Sequence, residues 1–128
     1  MAKKPVTLDV LVVDDELLIR WSLTETLAAA GHSVREADNK AAVLRALAER
    51  PAPDVVLLDY RLPDSNDLEL LATIRRLAPS AQIIMMTAFG TPEITKGALD
   101  LGAYRVVSKP FEVHELADLV MEAYDARC

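Results

Sequence analysis

The stretch that decides the fold runs Leu8-Asp9-Val10-Leu11-Val12-Val13-Asp14-Asp15-Glu16. An aliphatic run ends there in adjacent carboxylates, and short apolar runs bounded by polar residues are typical of strands buried on both faces. In an open parallel α/β sheet, ligands bind in the crevice outside the carboxyl ends of the strands. Asp14 and Asp15 therefore lie where chemistry is expected, and their like charges repel each other unless something offsets them.

Size and composition set the class of protein. The 128 residues suit a single domain, which we expect to cover residues 1–128 with flexible ends at residues 1–6 and 126–128. A net charge of -6 argues against direct nucleic-acid contact. The apolar runs are far shorter than the ~18 residues that span a bilayer, so no membrane partner is expected. No signal sequence is recognisable and the single cysteine is Cys128, so we expect a cytoplasmic protein without internal disulfides.

Strand-like and helix-like segments alternate along the chain, and this alternation predicts a parallel α/β sheet. We expect a doubly wound (βα)5 flavodoxin-like fold with a parallel five-stranded sheet of order 2-1-3-4-5. The predicted strands cover residues 8–13, 33–37, 54–59, 82–86 and 105–108. The predicted helices cover residues 16–30, 39–49, 67–78, 92–101 and 112–126.

Apolar residues at helical spacing predict which helix faces are buried. Gly97 lies inside the fourth predicted helix, where glycine costs ~1 kcal/mol relative to alanine, and it marks either a movable helix or a close packing contact. Trp21 lies off the apolar stripe of the first helix and either covers a neighbouring element or faces a partner near the acidic residues. The residues predicted to share the apolar face of the first, third and last helices are Ile19, Leu23, Leu27 and Ala30; Leu68, Leu71, Ile74 and Leu77; and Leu116, Leu119, Val120 and Ala123. The apolar content of the second predicted helix is Ala42, Leu44, Leu47 and Ala48.

Four predicted strands end in residues of reactive types: Asp14 and Asp15, Asp59, Thr87 and Lys109. With the order 2-1-3-4-5 the first and third strands are neighbours, so the carboxylates meet in one pocket. Carboxylates this close together can all stay ionised only if a cation lies beside them. Without a cation, the pKa of at least one carboxyl is raised so that it holds a proton. A hard divalent ion with oxygen ligands fits best, and Mg²⁺ is the expected cofactor.

The hydroxyl of Thr87 and the ammonium of Lys109 suit a phosphoryl group, which needs hydrogen bonds and charge neutralisation. Neither histidine is an obvious general base, because His32 lies in a helix-cap region and His114 inside a helix. A pocket carboxylate would then be the nucleophile and form an acyl phosphate.

Short motifs at the predicted strand ends form a set that covers essentially the whole chain. They are Val12-Val13-Asp14-Asp15-Glu16, Leu57-Leu58-Asp59, Leu62-Pro63-Asp64, Met86-Thr87-Ala88, Gly102-Ala103 and Lys109-Pro110-Phe111. Together they resemble the receiver domain of two-component response regulators.

The resemblance implies a role for each pocket residue. Asp59 would be the phosphoacceptor, and Asp14 and Asp15 the acidic metal pair. Asp59 and the backbone carbonyl of Arg61 would complete the protein ligands of Mg²⁺. Thr87 would bind a phosphate oxygen after phosphorylation, and Lys109 would pair with the acceptor carboxylate and the phosphate. The peptide bond between Lys109 and Pro110 would be cis, which an X-Pro bond permits at low cost.

Two positions depart from the family pattern. Val106 stands three residues before Lys109, where the family often has a tyrosine or phenylalanine ring that turns inward when the threonine moves. Tyr104, on the same predicted strand face, is the candidate substitute, so the expected switch residues are Thr87, Val106 and Tyr104. Asp67 stands where a glycine is usual; aspartate tolerates a positive φ better than most residues, so we expect a strained loop or a shifted helix start.

The resemblance implies a phosphorylation-controlled switch and not an enzyme with a separate substrate. A sensor histidine kinase would phosphorylate Asp59, and the change would alter a surface on the fourth helix, fifth strand and fifth helix, with a homodimer expected on phosphorylation. The segment from Asp15 to Leu23 resembles receivers of enhancer-binding transcription activators, which points to transcription regulation.

Two alternatives stay open at this point. One is a binding-only pseudo-receiver: the retention of all the pocket residues speaks against it, whereas Val106 and Asp67 keep it open. The other is an aspartyl-phosphate phosphatase of the haloacid-dehalogenase type. That class needs a second acid two residues after the nucleophile, where this chain has Arg61, and a cap domain for which the chain is too short.

Overall fold

Strands and helices alternate along the residues that the computed structural model describes, which are 6–49, 51–65 and 68–127. The elements are β1 (Asp9–Val13), α1 (Leu17–Ala29), β2 (Ser33–Ala37), α2 (Lys40–Ala48), β3 (Val55–Asp59), α3 (Glu69–Leu77), β4 (Gln82–Thr87), α4 (Pro92–Asp100), β5 (Arg105–Ser108) and α5 (Val113–Asp125). The strands form one parallel sheet in the order β2-β1-β3-β4-β5. The predicted fold class and strand order are therefore confirmed.

The sheet is buried in its centre and more open at its edges. All five residues of β3 and the last four of β1 are buried, because both strands have neighbours on either side and helices over both faces. The edge strands β2 and β5 have one neighbouring strand each and keep exposed residues. The continuous aliphatic runs of the sequence thus occupy the central strands, as parallel sheets require.

Alternate strand residues pack into two separate cores, one on each face of the sheet. Helices α2, α3 and α4 cover one face, through residues that include Val43, Ile74 and Ala98. Helices α1 and α5 cover the other face, through residues that include Leu23 and Val120. No helix in the described ranges is long and apolar enough to cross a membrane.

Residues suited to capping stand at several helix ends. The side chains of Asn39 and Thr91 each accept a hydrogen bond from a backbone N–H in the first turn of the following helix, and Pro92 occupies the first position of α4. Gly31 and Gly102 follow α1 and α4 with φ values of 95° and 103°, a conformation that glycine adopts without steric cost.

Some predicted helix faces are wrong. In α2 the buried residues are Val43 and Ala46, which were not singled out from the sequence, whereas Leu44 and Ala48 from its apolar content are exposed. Ala30, beyond the end of α1, and Leu77, at the end of α3, are also exposed. Helices of nine residues turn about 100° per residue, so only a narrow stripe can contact the sheet, and residues in the last turn project past it.

Two further predictions concern single positions. A Cβ atom at Gly97 would lie 2.7 Å from Cδ1 of Leu68, which supports the close-packing interpretation. Tyr104 packs against the core under α1 and α5, whereas Val106 packs against the core under α2, α3 and α4. The prediction that these two residues share a strand face is therefore wrong, because Tyr104 precedes β5 and the alternation of side chains applies only inside a strand.

Asp67, singled out for its departure from the family glycine, and Cys128 lie outside the described residues.

Candidate functional site

The ends of the neighbouring strands β1, β3 and β4 bring the predicted site residues together. Asp14 directly follows β1, while Asp59 and Thr87 are the last residues of β3 and β4. One carboxylate oxygen from each of Asp14, Asp15 and Asp59 lies within 4.8 Å of the others. The carboxylates that the strand order places in one pocket thus meet there.

These side chains differ in their access to solvent. Asp14 is completely buried and Asp59 is only 6% exposed, while Asp15 is exposed. Thr87 is also buried. Buried carboxylates are rarely stable without a partner, so the electrostatics of the pocket depend on the cations that face Asp14 and Asp59.

Lys109 is the cation that reaches both buried carboxylates. It follows β5, and its Nζ lies 2.9 Å from Oδ2 of Asp14 and 3.1 Å from Oδ2 of Asp59. Its Nζ also lies 3.2 Å from Oε1 of Glu16, a contact that sequence reasoning missed, although Glu16 directly follows the acidic pair. The peptide bond from Lys109 to Pro110 is cis.

The pKa values of the pocket reflect this crowding. Burial, followed by the negative charge of Asp14, raises the pKa of Asp59 to about 6, although Lys109 acts in the opposite direction. Burial lowers the pKa of Lys109, but the adjacent carboxylates of Asp14 and Asp59 more than offset this, so that its pKa lies above the ordinary lysine value. At neutral pH the ammonium is therefore charged and the Asp59 carboxylate is mostly ionised.

The same local turn fixes a pocket side chain at the end of each of three strands. An oxygen of Asp14 accepts a hydrogen bond from the backbone N–H of Glu16 at 2.9 Å. In the same way Asp59 accepts from Arg61 at 3.2 Å, and the hydroxyl of Thr87 accepts from Phe89 at 3.3 Å. Asp and Thr side chains favour this bond to the residue two positions on. Each turn holds its oxygen at the strand end.

A cleft of about 410 Å³ opens over these groups. Its walls come from the loops after β1, β3, β4 and β5 and from the start of α4. The lining residues are Asp15, Glu16, Asp59, Tyr60, Arg61, Thr87, Ala88, Phe89, Ile94 and Lys109.

The donor set of the pocket fits a hard divalent cation. The ligand atoms of Asp14, Asp15 and Asp59 are all carboxylate oxygens, the type that Mg²⁺ and Ca²⁺ prefer. Oδ2 of Asp14 is buried and forms an ion pair with Lys109. Within the described part of the chain it accepts no hydrogen bond. Arg61 lines the same cleft, as a further ligand through its backbone carbonyl would require.

Two residues outside the predicted set hold the loops of the site. Nη1 of Arg20 donates to the backbone carbonyl of Asp14 at 2.8 Å, and its Nε donates to Glu36 on β2 at 3.0 Å. The carboxylate of Asp64 accepts hydrogen bonds from the backbone N–H groups of the first two residues of α2, at 2.6 and 3.2 Å. The sequence carries no local signal for either contact, because the partners are distant in the chain.

An exposed apolar surface lies beside the cleft at the start of α1. Leu17, Leu18 and Trp21 are all more than half exposed, Trp21 at 58%. This exposure contradicts the interpretation that the Trp21 ring is covered by a neighbouring element, and it favours the partner-facing one. Leu18 also lines a small cavity with Lys109 and Phe111, which connects this surface to the loop after β5.

Comparison with known proteins agrees with this geometry. Residues 10–121 match the family described as the response regulator receiver domain. The chain is 40% identical over 114 residues to the DNA-binding transcriptional regulator NtrC of Escherichia coli K12, which covers 89% of this chain and 24% of that protein. The chain thus spans about a quarter of the length of the curated NtrC relatives that it matches.

Solved structures give the same result. The receiver domain of NtrX from Brucella abortus has a TM-score of 0.83 and 34% sequence identity, covering 92% of this chain and 99% of that one. A CheY-like response regulator receiver domain protein from Methanospirillum hungatei has a TM-score of 0.87 and 28% identity, covering 94% and 95% of the two chains. The chain therefore belongs to the response regulator receiver domain family.

Proposed function

We propose that this domain accepts a phosphoryl group on Asp59 from a sensor histidine kinase and thereby changes a protein-interaction surface on α4, β5 and α5. The observation that carries the proposal is the position of Asp59. Its carboxylate lines an open cleft, 3.1 Å from the ammonium of Lys109 and beside the hydroxyl of Thr87. An acceptor, a cation and a hydroxyl donor on one cleft wall suit a tetrahedral dianion.

In the transfer, an oxygen of Asp59 attacks the phosphorus of the donor phosphohistidine. A phosphorus–oxygen bond forms, the phosphorus–nitrogen bond breaks, and the electron pair leaves with the imidazole, which takes a proton from solvent. With a pKa of about 6, Asp59 is mostly ionised at neutral pH and needs no general base. Lys109 offsets the charge that collects on the phosphoryl oxygens.

Asp14, Asp15 and Asp59, with the backbone carbonyl of Arg61, are the residues that would hold Mg²⁺. When bound, a divalent ion offsets the mutual repulsion of the carboxylates and the phosphoryl oxygens. The protein's own contribution is positional: the turns at Asp14 and Asp59 fix the two buried carboxylates before any ion arrives.

The new phosphate brings about -1.5 to -2 charges, and the switch follows from the contacts that this charge attracts. Thr87 would exchange its bond with the N–H of Phe89 for a phosphate oxygen, and Lys109 would turn from Glu16 towards the phosphate. Lys109 directly follows β5, so its movement displaces that strand. At the other end of β5, the hydroxyl of Tyr104 donates to Glu122 on α5 at 2.8 Å, which couples the strand to the helix. Val106 has no ring that could turn inward, as the tyrosine or phenylalanine often found at this position in the family does. We infer that the contact between Tyr104 and Glu122 transmits the change instead.

The domain would exert its effect through proteins. The exposed surface of Leu17, Leu18 and Trp21 beside the cleft is suited to the phosphodonor. Within a longer protein of the NtrC kind the output would be transcription, with self-association on phosphorylation and no direct nucleic-acid contact by the receiver itself.

Phosphorylation can be tested without the kinase. Incubation with MgCl₂ and phosphoramidate, a small donor with a phosphorus–nitrogen bond, should add the mass of one phosphoryl group. Asp59→Asn should show no adduct, whereas Asp125→Asn, which removes an exposed carboxylate at the far end of α5, should react normally. Turnover of a phosphomonoester would favour a phosphatase instead, and a wild-type chain that takes no phosphoryl group would favour a binding-only domain.

A further inference from the structure

A groove of about 440 Å³ lies between the edge strand β5 and helix α5, on the surface proposed above for output. Its apolar lining includes Val106, Phe111 and Leu119. Acidic residues from α5 and its capping position also line it: Glu112, Glu115, Asp118 and Glu122.

The charge of this groove is largely uncompensated. Arg105 is the basic residue of its lining, and it already pairs with Glu122 at 3.1 Å. Across residues 6–49, 51–65 and 68–127, no cation forms an ion pair with Glu115 or Asp118. Complementary charge selects partners and disfavours those of like charge. A cationic partner fits this wall, and an acidic segment or a nucleic acid does not.

The strand edge indicates the shape of the partner. In the described part of the chain β5 pairs with β4 alone, so the backbone groups on its other edge have no strand partner. Such an edge accepts an extended segment of another chain, with pockets selecting alternate side chains. From Glu112 to Glu122 the acidic residues span about 15 Å of helix, which is the length of about five extended residues.

We propose that the β5–α5 groove binds an extended cationic segment of a partner protein, in which basic side chains face α5 and apolar ones alternate with them. This inference deepens the proposed function, because it names the chemistry of the partner for the output surface. Lys109 follows the last residue of β5, so a partner that shifts β5 also biases the position of Lys109. By linkage, phosphorylation changes the affinity of the segment by the same factor as the segment changes the phosphorylation equilibrium.

A synthetic probe tests the chemistry directly. A fluorescein-labelled, end-capped peptide of about six residues, alternating lysine and valine, is titrated with the chain before and after phosphoramidate treatment, and anisotropy gives Kd. The amide shifts of β5 and α5 in ¹H–¹⁵N spectra should change on binding. Glu115→Gln combined with Asp118→Asn should raise Kd about fivefold or more, as expected for losing two exposed charge pairs.

The matched control removes the same charge elsewhere. Glu25→Gln combined with Asp38→Asn changes two exposed acids on α1 and before α2 and should leave Kd within about twofold. The proposal would be overturned if the two double variants lost affinity equally, or if the amide shifts changed only in other elements. It would also be overturned if a glutamate–valine peptide bound equally well, or if neither form of the chain bound the lysine–valine peptide. Asp59 phosphorylation is read separately by mass. A chain that takes the phosphoryl group but ignores the peptide refutes only the groove, and one that binds the peptide without taking the phosphoryl group refutes only the switch.

Discussion

The ammonium of Lys109 lies 2.9 Å from Oδ2 of Asp14, and both side chains are almost withdrawn from solvent. Among the described residues no other cation forms an ion pair with Asp14. A buried carboxylate that loses its cation costs several kcal/mol, so Lys109 supports the fold as well as the site.

Lys109→Met should therefore destabilise the metal-free protein by about 3 kcal/mol, because methionine keeps the apolar stem but leaves Asp14 uncompensated. Urea unfolding in EDTA measures the loss. Adding Asp14→Asn to the same chain should recover part of it, since the Asp14 charge is then gone while the buried Asp59 still lacks its cation. A single variant as stable as the wild type would show that the ion pair contributes nothing to the fold.

The raised pKa of Asp59 predicts an unusual pH dependence. Its folded value of about 6 lies above the ordinary 3.8, so the folded state holds this proton more tightly than the unfolded chain does. The contribution of this group to stability is therefore present at low pH and is lost as the pH rises from 3.8 through about 6. At pH 7 without divalent ions, Asp59→Asn should exceed the wild type in stability by an amount on the order of 2 kcal/mol.

Thermal unfolding of both proteins across this pH range measures the effect. The difference should shrink as the pH falls from about 6 to below the ordinary value of 3.8, where the wild-type carboxyl becomes protonated in both states. Mg²⁺ should stabilise the wild type more than Asp59→Asn, because it favours the ionised carboxylate. An Asp59→Asn chain clearly less stable than the wild type at pH 7 would mean that the carboxylate is not under electrostatic strain.

The sequence predicted the residues of the site better than the side-chain contacts that hold them in place. Asp14, Asp59 and Thr87 follow from chain-local patterns, since each ends a short apolar run and neighbouring parallel strands must end together. The contact of Lys109 with Glu16 and the position of Tyr104 depend on side-chain directions outside the strands. No periodicity encodes such directions.

A second side chain that caps α2, besides Asn39, also comes from a distant part of the chain and could not be predicted from local sequence. Asp64 lies in the loop after β3, yet its carboxylate accepts from the N–H of Lys40 at 2.6 Å, and this bond, chiefly, lowers the pKa of Asp64. Its stabilising effect is therefore present above the ordinary aspartate pKa and is lost as the pH falls through the lower folded value. Asp64→Ala should lower Tm at pH 7 and lose this effect in acid. Asp118→Ala, an exposed acid on α5, should change Tm little at either pH.

Arg75 joins three chain segments at the opposite end of the sheet. Its guanidinium donates to the backbone carbonyls of Pro79, Ala81 and Gly102 at 3.0, 2.7 and 2.8 Å. Arg75→Met should cost about 2 kcal/mol in urea unfolding, because these carbonyls lose charged donors. Arg76→Met removes the same charge from an exposed neighbour and should cost less than about 0.5 kcal/mol. Equal losses would assign the effect to net charge and not to the hydrogen bonds.

A comparison of alanine substitutions at Gly102 and Gly31 distinguishes backbone strain from a clash with the side chain of Arg75. Both have a positive φ, but a Cβ atom at Gly102 would lie 2.9 Å from Nε of Arg75, whereas one at Gly31 would meet nothing within 4 Å. Gly31→Ala should therefore cost only the strain, about 1 kcal/mol, and Gly102→Ala should cost more. In an Arg75→Ala background the cost of Gly102→Ala should fall to that of Gly31→Ala, because alanine has no atom beyond Cβ to meet the new methyl group. A double-mutant cycle measures this coupling, and a cost of Gly102→Ala that is the same in both backgrounds would show that Arg75 does not restrict the turn.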